Sequence, residues 1–378
     1  MNNFAPPKRL QGIEKSVIRQ VFDRALPDSI NLGLGEPDLP TPDVIRRAAV
    51  KAIIEEQNGY TSHAGLKSLR EKIAGDYPHL DHNPERVIVT AGSQEALYLA
   101  LLTLIDEADE VLLPNPGFVA YPTIVKMAGG RTKFYRLPRK HGFAFDPDEF
   151  RRALSPQTKV VVCISPSNPT GRTLSRDDLS FIAEAAREQG AYLISDEIYR
   201  ELYYTTQRPE SVTSFFDRTI VIAGLSKSMS MTGWRLGWIG GDEAVIKAAL
   251  VLHGYVTTCA STVSQKASLA AWTEEAEVAR AEFRETFRSR RDHLLKLIDS
   301  ELGLRAVTPD GAFYTMLDVS EFGSSMKVAE SLLEQRVITV PGAAFGSESE
   351  GFLRVSFCPD HETLAEGVQR IKQGLQNI

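Results

Sequence analysis

Cysteine is scarce: Cys163, Cys259 and Cys358 are the only three in 378 residues, far apart and without a Cys-x-x-Cys pair. That spacing excludes a disulfide framework and a structural zinc site, so no metal is expected and a reduced, cytoplasmic setting fits. Long apolar runs are missing too. The most apolar stretch, Ala96 to Ile105, falls far short of the ~20 residues that span a bilayer and reads as a buried helix. The N-terminal Met-Asn-Asn-Phe-Ala-Pro-Pro-Lys-Arg lacks the apolar centre of a signal peptide. Charge of one sign is not in large excess, 43 Lys and Arg facing 49 Asp and Glu for a net charge of -6. Basic pairs such as Arg46-Arg47 and Arg290-Arg291 are short and read as solvated faces. Neither nucleic acid nor a membrane is therefore an expected partner. Internal repeats and low-complexity tracts are also lacking.

What remains is an ordinary globular composition, 43% hydrophobic and 24% charged, long enough for two domains. Residues 1–30 turn amphipathic, with Ile13, Val17, Val21 and Phe22 at helical spacing and Pro27 as the stop. A Gly- and Pro-dense run over 31–42 is a loop with a fixed path. From about residue 86, apolar β-branched runs occur at Arg86–Thr90, Glu110–Leu113, Thr132–Leu137, Lys159–Ser165, Ala191–Ser195, Thr219–Ala223 and Leu236–Gly240. Helical patterns such as Gln94–Ile105 and Arg176–Gln189 lie between them. The expected fold is α/β: residues 43–276 form a large domain with a mostly parallel seven-stranded sheet sandwiched by helices. Near Ala276 the texture changes to a long charged helix, Glu277–Ser300, strand-like pieces at Ala312–Leu317, Val337–Val340 and Leu353–Phe357, and a helix from His361. Residues 277–378 read as a smaller α+β domain, against which segment 1–30 is expected to pack.

Ligands of an open parallel sheet sit at the carboxyl ends of its strands, so the residues that follow each predicted strand matter most. After the first comes Ala91-Gly92-Ser93-Gln94, opening directly into a helix, a pattern able to cradle a phosphate on exposed N–H groups. After the fourth comes Pro166-Ser167-Asn168-Pro169-Thr170-Gly171, which holds an amide rigidly between prolines. The fifth ends in Asp196-Glu197-Ile198-Tyr199, and the sixth runs into Gly224-Leu225-Ser226-Lys227 and on to Trp234-Arg235. Each pattern alone has a plain structural reading as a turn or cap. Together they place a phosphate cradle, an Asn, an Asp with a Tyr, and a Lys with an Arg around one crevice. Pyridoxal phosphate needs that set: an amine for its aldehyde, a carboxylate for its ring nitrogen, donors for its phenolic oxygen and a phosphate site.

The chain resembles the class I/II pyridoxal-phosphate-dependent aminotransferases of the aspartate aminotransferase superfamily, fold type I. The likeness runs from Gly33-Leu34-Gly35-Glu36-Pro37-Asp38 to Phe352-Leu353-Arg354-Val355; the lysine stretch and Ser167-Asn168-Pro169-Thr170-Gly171 are its most specific parts. The resemblance implies that Lys227 is the Schiff-base lysine and proton shuttle. It implies that Asp196 pairs with the ring nitrogen, that Tyr199 and Asn168 bond the phenolic oxygen, and that Phe118 stacks on the ring. Gly92, Ser93, Gln94, Ser226 and Arg235 would complete the cofactor site, with Tyr60 reaching the phosphate from the partner of a homodimer with shared active sites. Arg354 would take the substrate α-carboxylate through its planar fork, with Gly35 approaching through its backbone and Asn168 beside it. The Asn168–Pro169 peptide is expected to be cis. One position departs: Gly224 stands where many relatives carry a phosphate-binding serine.

The expected reaction is ping-pong transamination between an L-amino acid and a 2-oxo acid, 2-oxoglutarate foremost. A lyase or decarboxylase on the same fold would share Lys227, Asp196 and Arg354 and stays open. A sensor fused to a DNA-binding module would need an added helix-turn-helix segment, and only about 30 residues precede the Gly/Pro loop. For the substrate side chain, Lys8, Arg9, Lys15 and Arg19 could supply a second cation, and Ile13 and Phe345 could equally form an apolar wall.

Overall fold

Strands that are covered on both sides need apolar side chains in both directions, and those of this chain have them. The computed structural model describes Pro7 and residues 10–378, so Lys8 and Arg9 lie outside the described residues. After a short strand β1 (Ile30–Asn31), the main sheet is built from β2 (Val87–Thr90), β3 (Glu110–Asn115), β4 (Arg131–Arg136), β5 (Thr158–Ile164), β6 (Tyr192–Asp196), β7 (Thr219–Gly224) and β8 (Gly237–Gly240). Their spatial order is β2-β8-β7-β6-β5-β3-β4. All neighbours are parallel except β8, which runs antiparallel to both β2 and β7. Every residue of β2 and β7 is buried.

The two-residue alternation of a strand sorts the layers. Ile88, Val160, Val162, Ile194, Ile220 and Ile222 face the helices Ser93–Leu104, Ala120–Met127 and Glu243–Val256. Val87, Val89, Val221 and Ala223 face the opposite side with Ile45 and Leu69, while Val161, Cys163 and Leu193 pack there against Leu179 and Ile182. Burying each such aliphatic side chain contributes about 1.5–3 kcal/mol. Together these layers hold the carboxyl ends of β5, β6 and β7 side by side.

The C-terminal part forms an antiparallel sheet in the order β11-β12-β9, with β9 (Tyr314–Asp318), β11 (Val340–Pro341) and β12 (Phe352–Ser356). A further strand, β10 (Val337–Ile338), pairs in parallel with β1. Val21 packs with Leu333 and Ile338, and Ile30 and Leu32 join the cluster around Leu353, Val355 and Leu364. The N-terminal helix is shorter than the apolar spacing predicts, Val17–Asp23, because the Ser16 side chain accepts from the Arg19 N–H and caps it there, leaving Ile13 outside. The long charged helix starts three residues early, at Glu274, where Thr273 caps it, and runs to Leu297 before a turn of π-helix. From that helix the buried Arg290 reaches both carboxylate oxygens of Asp38, at 2.6 and 3.1 Å, and the carbonyl of Cys358. This fork ties the Gly/Pro loop to the end of β12.

Candidate active site

Asp196 ends β6 on the same face as Ile194, two residues earlier, so its carboxylate points toward the helix Ala120–Met127. There the Tyr121 hydroxyl donates to Oδ2 at 2.8 Å, and the Ile198 N–H donates to Oδ1 at 3.2 Å. Burial pushes the carboxyl up to about 6, against the pull of those two donors. A cation beside it would find a partner lacking a full counter-charge.

Lys227 follows β7 and donates to the Gly35 carbonyl at 2.5 Å. Loss of water pushes its ammonium down to about 8; Arg354 and Arg235 act in the same direction, while Cys358 and Glu36 oppose. Across from it, Arg354 sits in β12, 3% exposed. Its guanidinium donates to Asn168 Oδ1 at 2.8 Å and to the Gly33 carbonyl, lies 4.2 Å from the Tyr314 ring centre and 4.8 Å from that of Phe345, and leaves Nε without a partner. Tyr314 in turn meets the Tyr199 hydroxyl at 2.9 Å. A side chain at Gly35 would run into the Tyr314 hydroxyl, which is why that loop position has none.

The cradle is built at the start of the helix Ser93–Leu104. Gly92 caps it with φ +91°, a conformation that favours glycine, and a Cβ there would come within 2.5 Å of Arg235 Nη2. Arg235 donates to the Ala91 and Thr232 carbonyls at 3.3 and 2.9 Å, and Glu95 accepts from the Ala91 N–H. The turn is thus held from both sides, with the positive end of the helix facing the cavity.

One cavity of about 270 Å³ is lined by Gly35, Ser93, Gln94, Phe118, Asn168, Asp196, Tyr199, Ser226, Lys227, Arg235 and Arg354. Eleven of the thirteen residues singled out from the sequence thus come together. Gly92 lies behind Ser93 rather than on the wall, and Tyr60 is elsewhere, 87% exposed. The Asn168–Pro169 peptide is cis, as are Asn115–Pro116 and Ser165–Pro166. Lys15 and Arg19 both pair with Asp23 at the surface, and neither lines the cavity. Ile13 is not on its wall; Ile18 is, and Phe345 backs Arg354 instead.

The sequence profile of the family Aminotransferase class I and II matches residues 27–371. The chain belongs to that family. It is an enzyme, a transaminase, and membership implies dependence on pyridoxal phosphate. It is similar to a probable aspartate aminotransferase of Methanocaldococcus jannaschii, 37% identical over 97% of this chain and 98% of the relative. It is also similar to an aromatic-amino-acid aminotransferase of Thermococcus litoralis, 34% identical over 97% of each. Among solved structures, aspartate aminotransferase from Thermus thermophilus with maleate superposes with a TM-score of 0.92 at 35% identity, over 98% of this chain and 100% of that one. These relatives do not favour the lyase or decarboxylase alternative.

Two site residues of this aminotransferase were not visible as motifs. Tyr121, three positions after Phe118, reads as a core residue of its helix, and only the fold brings it to Asp196. Tyr314 lies on a strand of the C-terminal unit; the turn signal Pro309-Asp310-Gly311 precedes it, but nothing in that pattern points to Tyr199. Gly224, the departure noted above, has a packing reason. A Cβ there would come within 2.9 Å of the Leu236 carbonyl and 3.0 Å of Gly237 Cα, so the close pairing of β7 with β8 leaves little room for serine.

Proposed function

We propose that Lys227 carries pyridoxal phosphate and moves the substrate proton, with the surrounding strand ends holding the cofactor. The carrying observation is the convergence of the Lys227 amine, the Asp196 carboxylate and the Tyr199 hydroxyl in one cavity that ends at a glycine-capped helix N-terminus. The donor set fits the group: Ser93, Gln94, Ser226 and Arg235 surround a place for phosphate, and Asp196 awaits a cation. When bound, the cofactor supplies an aldehyde and an electron-withdrawing ring that acidify the α-hydrogen of an amino acid.

The protein's own groups do the rest. Lys227, its ammonium lowered by desolvation, is available as a neutral base near pH 8 and returns the proton as an acid. Asp196 would hold a positive charge on the ring nitrogen of the bound cofactor. Asn168 spends its oxygen on Arg354, which leaves its NH₂ to donate to the phenolic oxygen beside Tyr199. Phe118 would cover one face of the bound ring, and Arg354 would present its fork to the α-carboxylate. Both half-reactions use the same base and the same carboxylate clamp, as a ping-pong cycle requires.

The mouth of the cavity is apolar, with Ile18, Leu34 and Phe118 on its wall. Among the described residues its cations are Lys227, Arg235 and Arg354, and each already has a task in this reading. The apolar wall supports an aromatic or aliphatic L-amino acid as the amino donor. A panel of donors against 2-oxoglutarate and pyruvate tests this. Aromatic and aliphatic donors are expected to exceed aspartate in kcat/KM by at least tenfold, and an aspartate preference would overturn the side-chain assignment.

Exposed Tyr60, and Val251, Tyr255 and Val256 on the helix Glu243–Val256, support a homodimer in which Tyr60 reaches the partner's phosphate site. Sedimentation at micromolar concentration should give twice the mass of one chain; a monomer of full activity would refute it. Three free cysteines suit a cytoplasmic setting.

A further inference from the structure

When two buried phenols share one hydrogen bond, one donates and the other keeps its proton for a third group. Tyr199 and Tyr314 are such a pair, 3% and 1% exposed, with their oxygens 2.9 Å apart. Among the described residues neither hydroxyl has another hydrogen-bond partner. Both line the cavity, Tyr199 from the end of β6 and Tyr314 from β9. The more acidic phenol is the better donor. Tyr314 lies under the Arg354 guanidinium, 4.2 Å from the centre of its ring. Burial pushes Tyr314 up to about 12, and Arg354 pulls the other way. With that cation over its ring, Tyr314 is the phenol placed to supply the shared proton, which leaves the Tyr199 proton for the cavity.

We propose that Tyr314 is a positioning residue: its hydroxyl donates to Tyr199 and so aims the Tyr199 proton at the phenolic oxygen of the cofactor. This rests on the assignment of Tyr199 to that oxygen. The bare backbone at Gly35 is what gives Tyr314 its place, since a methyl group there would displace the hydroxyl. A donor chain of this kind strengthens its last member. The Tyr199 hydrogen bond should stabilise the deprotonated form of the lysine–cofactor linkage more than a phenol standing alone would.

The test is the pH titration of the visible absorbance of the holoenzyme. Tyr199→Phe should raise the midpoint. Tyr314→Phe, which keeps the ring and its stacking under Arg354, should raise it in the same direction by about 0.4–1 pH unit, the weight of one net hydrogen bond. The double variant should move no further than Tyr199→Phe alone, because Tyr314 acts only through Tyr199. Gly35→Ala, which pushes the Tyr314 hydroxyl away without removing it, should give a rise of the same sign. Thermal melting of the apoenzymes reports on folding separately, and a structural role alone would lower the melting temperature without moving the midpoint. A Tyr314→Phe midpoint equal to wild type, or a double variant that adds the two shifts, would overturn the role of Tyr314. A Tyr199→Phe midpoint equal to wild type would instead overturn the assignment of Tyr199, on which the proposal stands.

Discussion

Lys227→Ala removes turnover: kcat falls by at least about 10⁴-fold, the upper range of what a positioned acid–base group contributes. On the proposed assignment the loss has two sources, because the same amine would be both the attachment point of the cofactor and the group that carries the α-proton. The wild-type apoenzyme adds a check on the reason. Desolvation lowers the Lys227 ammonium to about 8, so the neutral, nucleophilic amine grows in as the pH rises through 8. An exposed lysine would do so about two units higher. Pyridoxal phosphate followed by borohydride should therefore label Lys227 along a curve centred near pH 8, read by peptide mass spectrometry. Retained turnover in Lys227→Ala, or labelling that goes to other lysines, would remove Lys227 from the centre of the mechanism.

Arg354→Lys is expected to have the next largest effect, lowering kcat/KM for amino acids by roughly 10²–10³-fold. Loss of one partner of a buried, hydrogen-bonded charge pair costs about 2–5 kcal/mol, and each 1.4 kcal/mol is a factor of ten. Lysine keeps the charge but not the fork: it cannot give two parallel bonds to a carboxylate while holding Asn168 Oδ1 and the Gly33 carbonyl in place. The stacking between Tyr314 and Phe345 would also be lost. KM should rise more than kcat falls, since the carboxylate is held throughout the reaction. Steady-state kinetics decide it, and a change of less than threefold would mean that the substrate carboxylate binds elsewhere.

Much of this site was legible because strand ends in a parallel sheet converge by geometry. Asn168, Asp196 and Lys227 each follow a continuous apolar run, so finding three adjacent runs amounted to finding three neighbours. Gly92 was legible for a similar reason, as a glycine between a strand and a helix. The substrate side was far less so. Ile18 and Leu34 meet the cavity only because β1 pairs with β10 and draws the N-terminal segment against the C-terminal unit. Lys15 and Arg19, both open as side-chain ligands on sequence grounds, are instead held at the surface by Asp23. Such ion pairing depends on which face a helix presents, and composition does not reveal it.

By itself the chain order pointed to the layered α/β fold, to Lys227 and Asp196 at neighbouring strand ends, and to the chemistry they imply. Those follow from local patterns: burial on both faces of a strand, and the residue type needed at each strand end. Only the tertiary structure decided which groups tune them. Tyr121 reaches Asp196 from a neighbouring helix, Tyr314 reaches Tyr199 from another sheet, and Gly224 gives way to the packing of β7 on β8. These contacts join residues 75, 115 and 12 positions apart. Periodicity carries no information over such distances, whereas the closed packing of two sheets does.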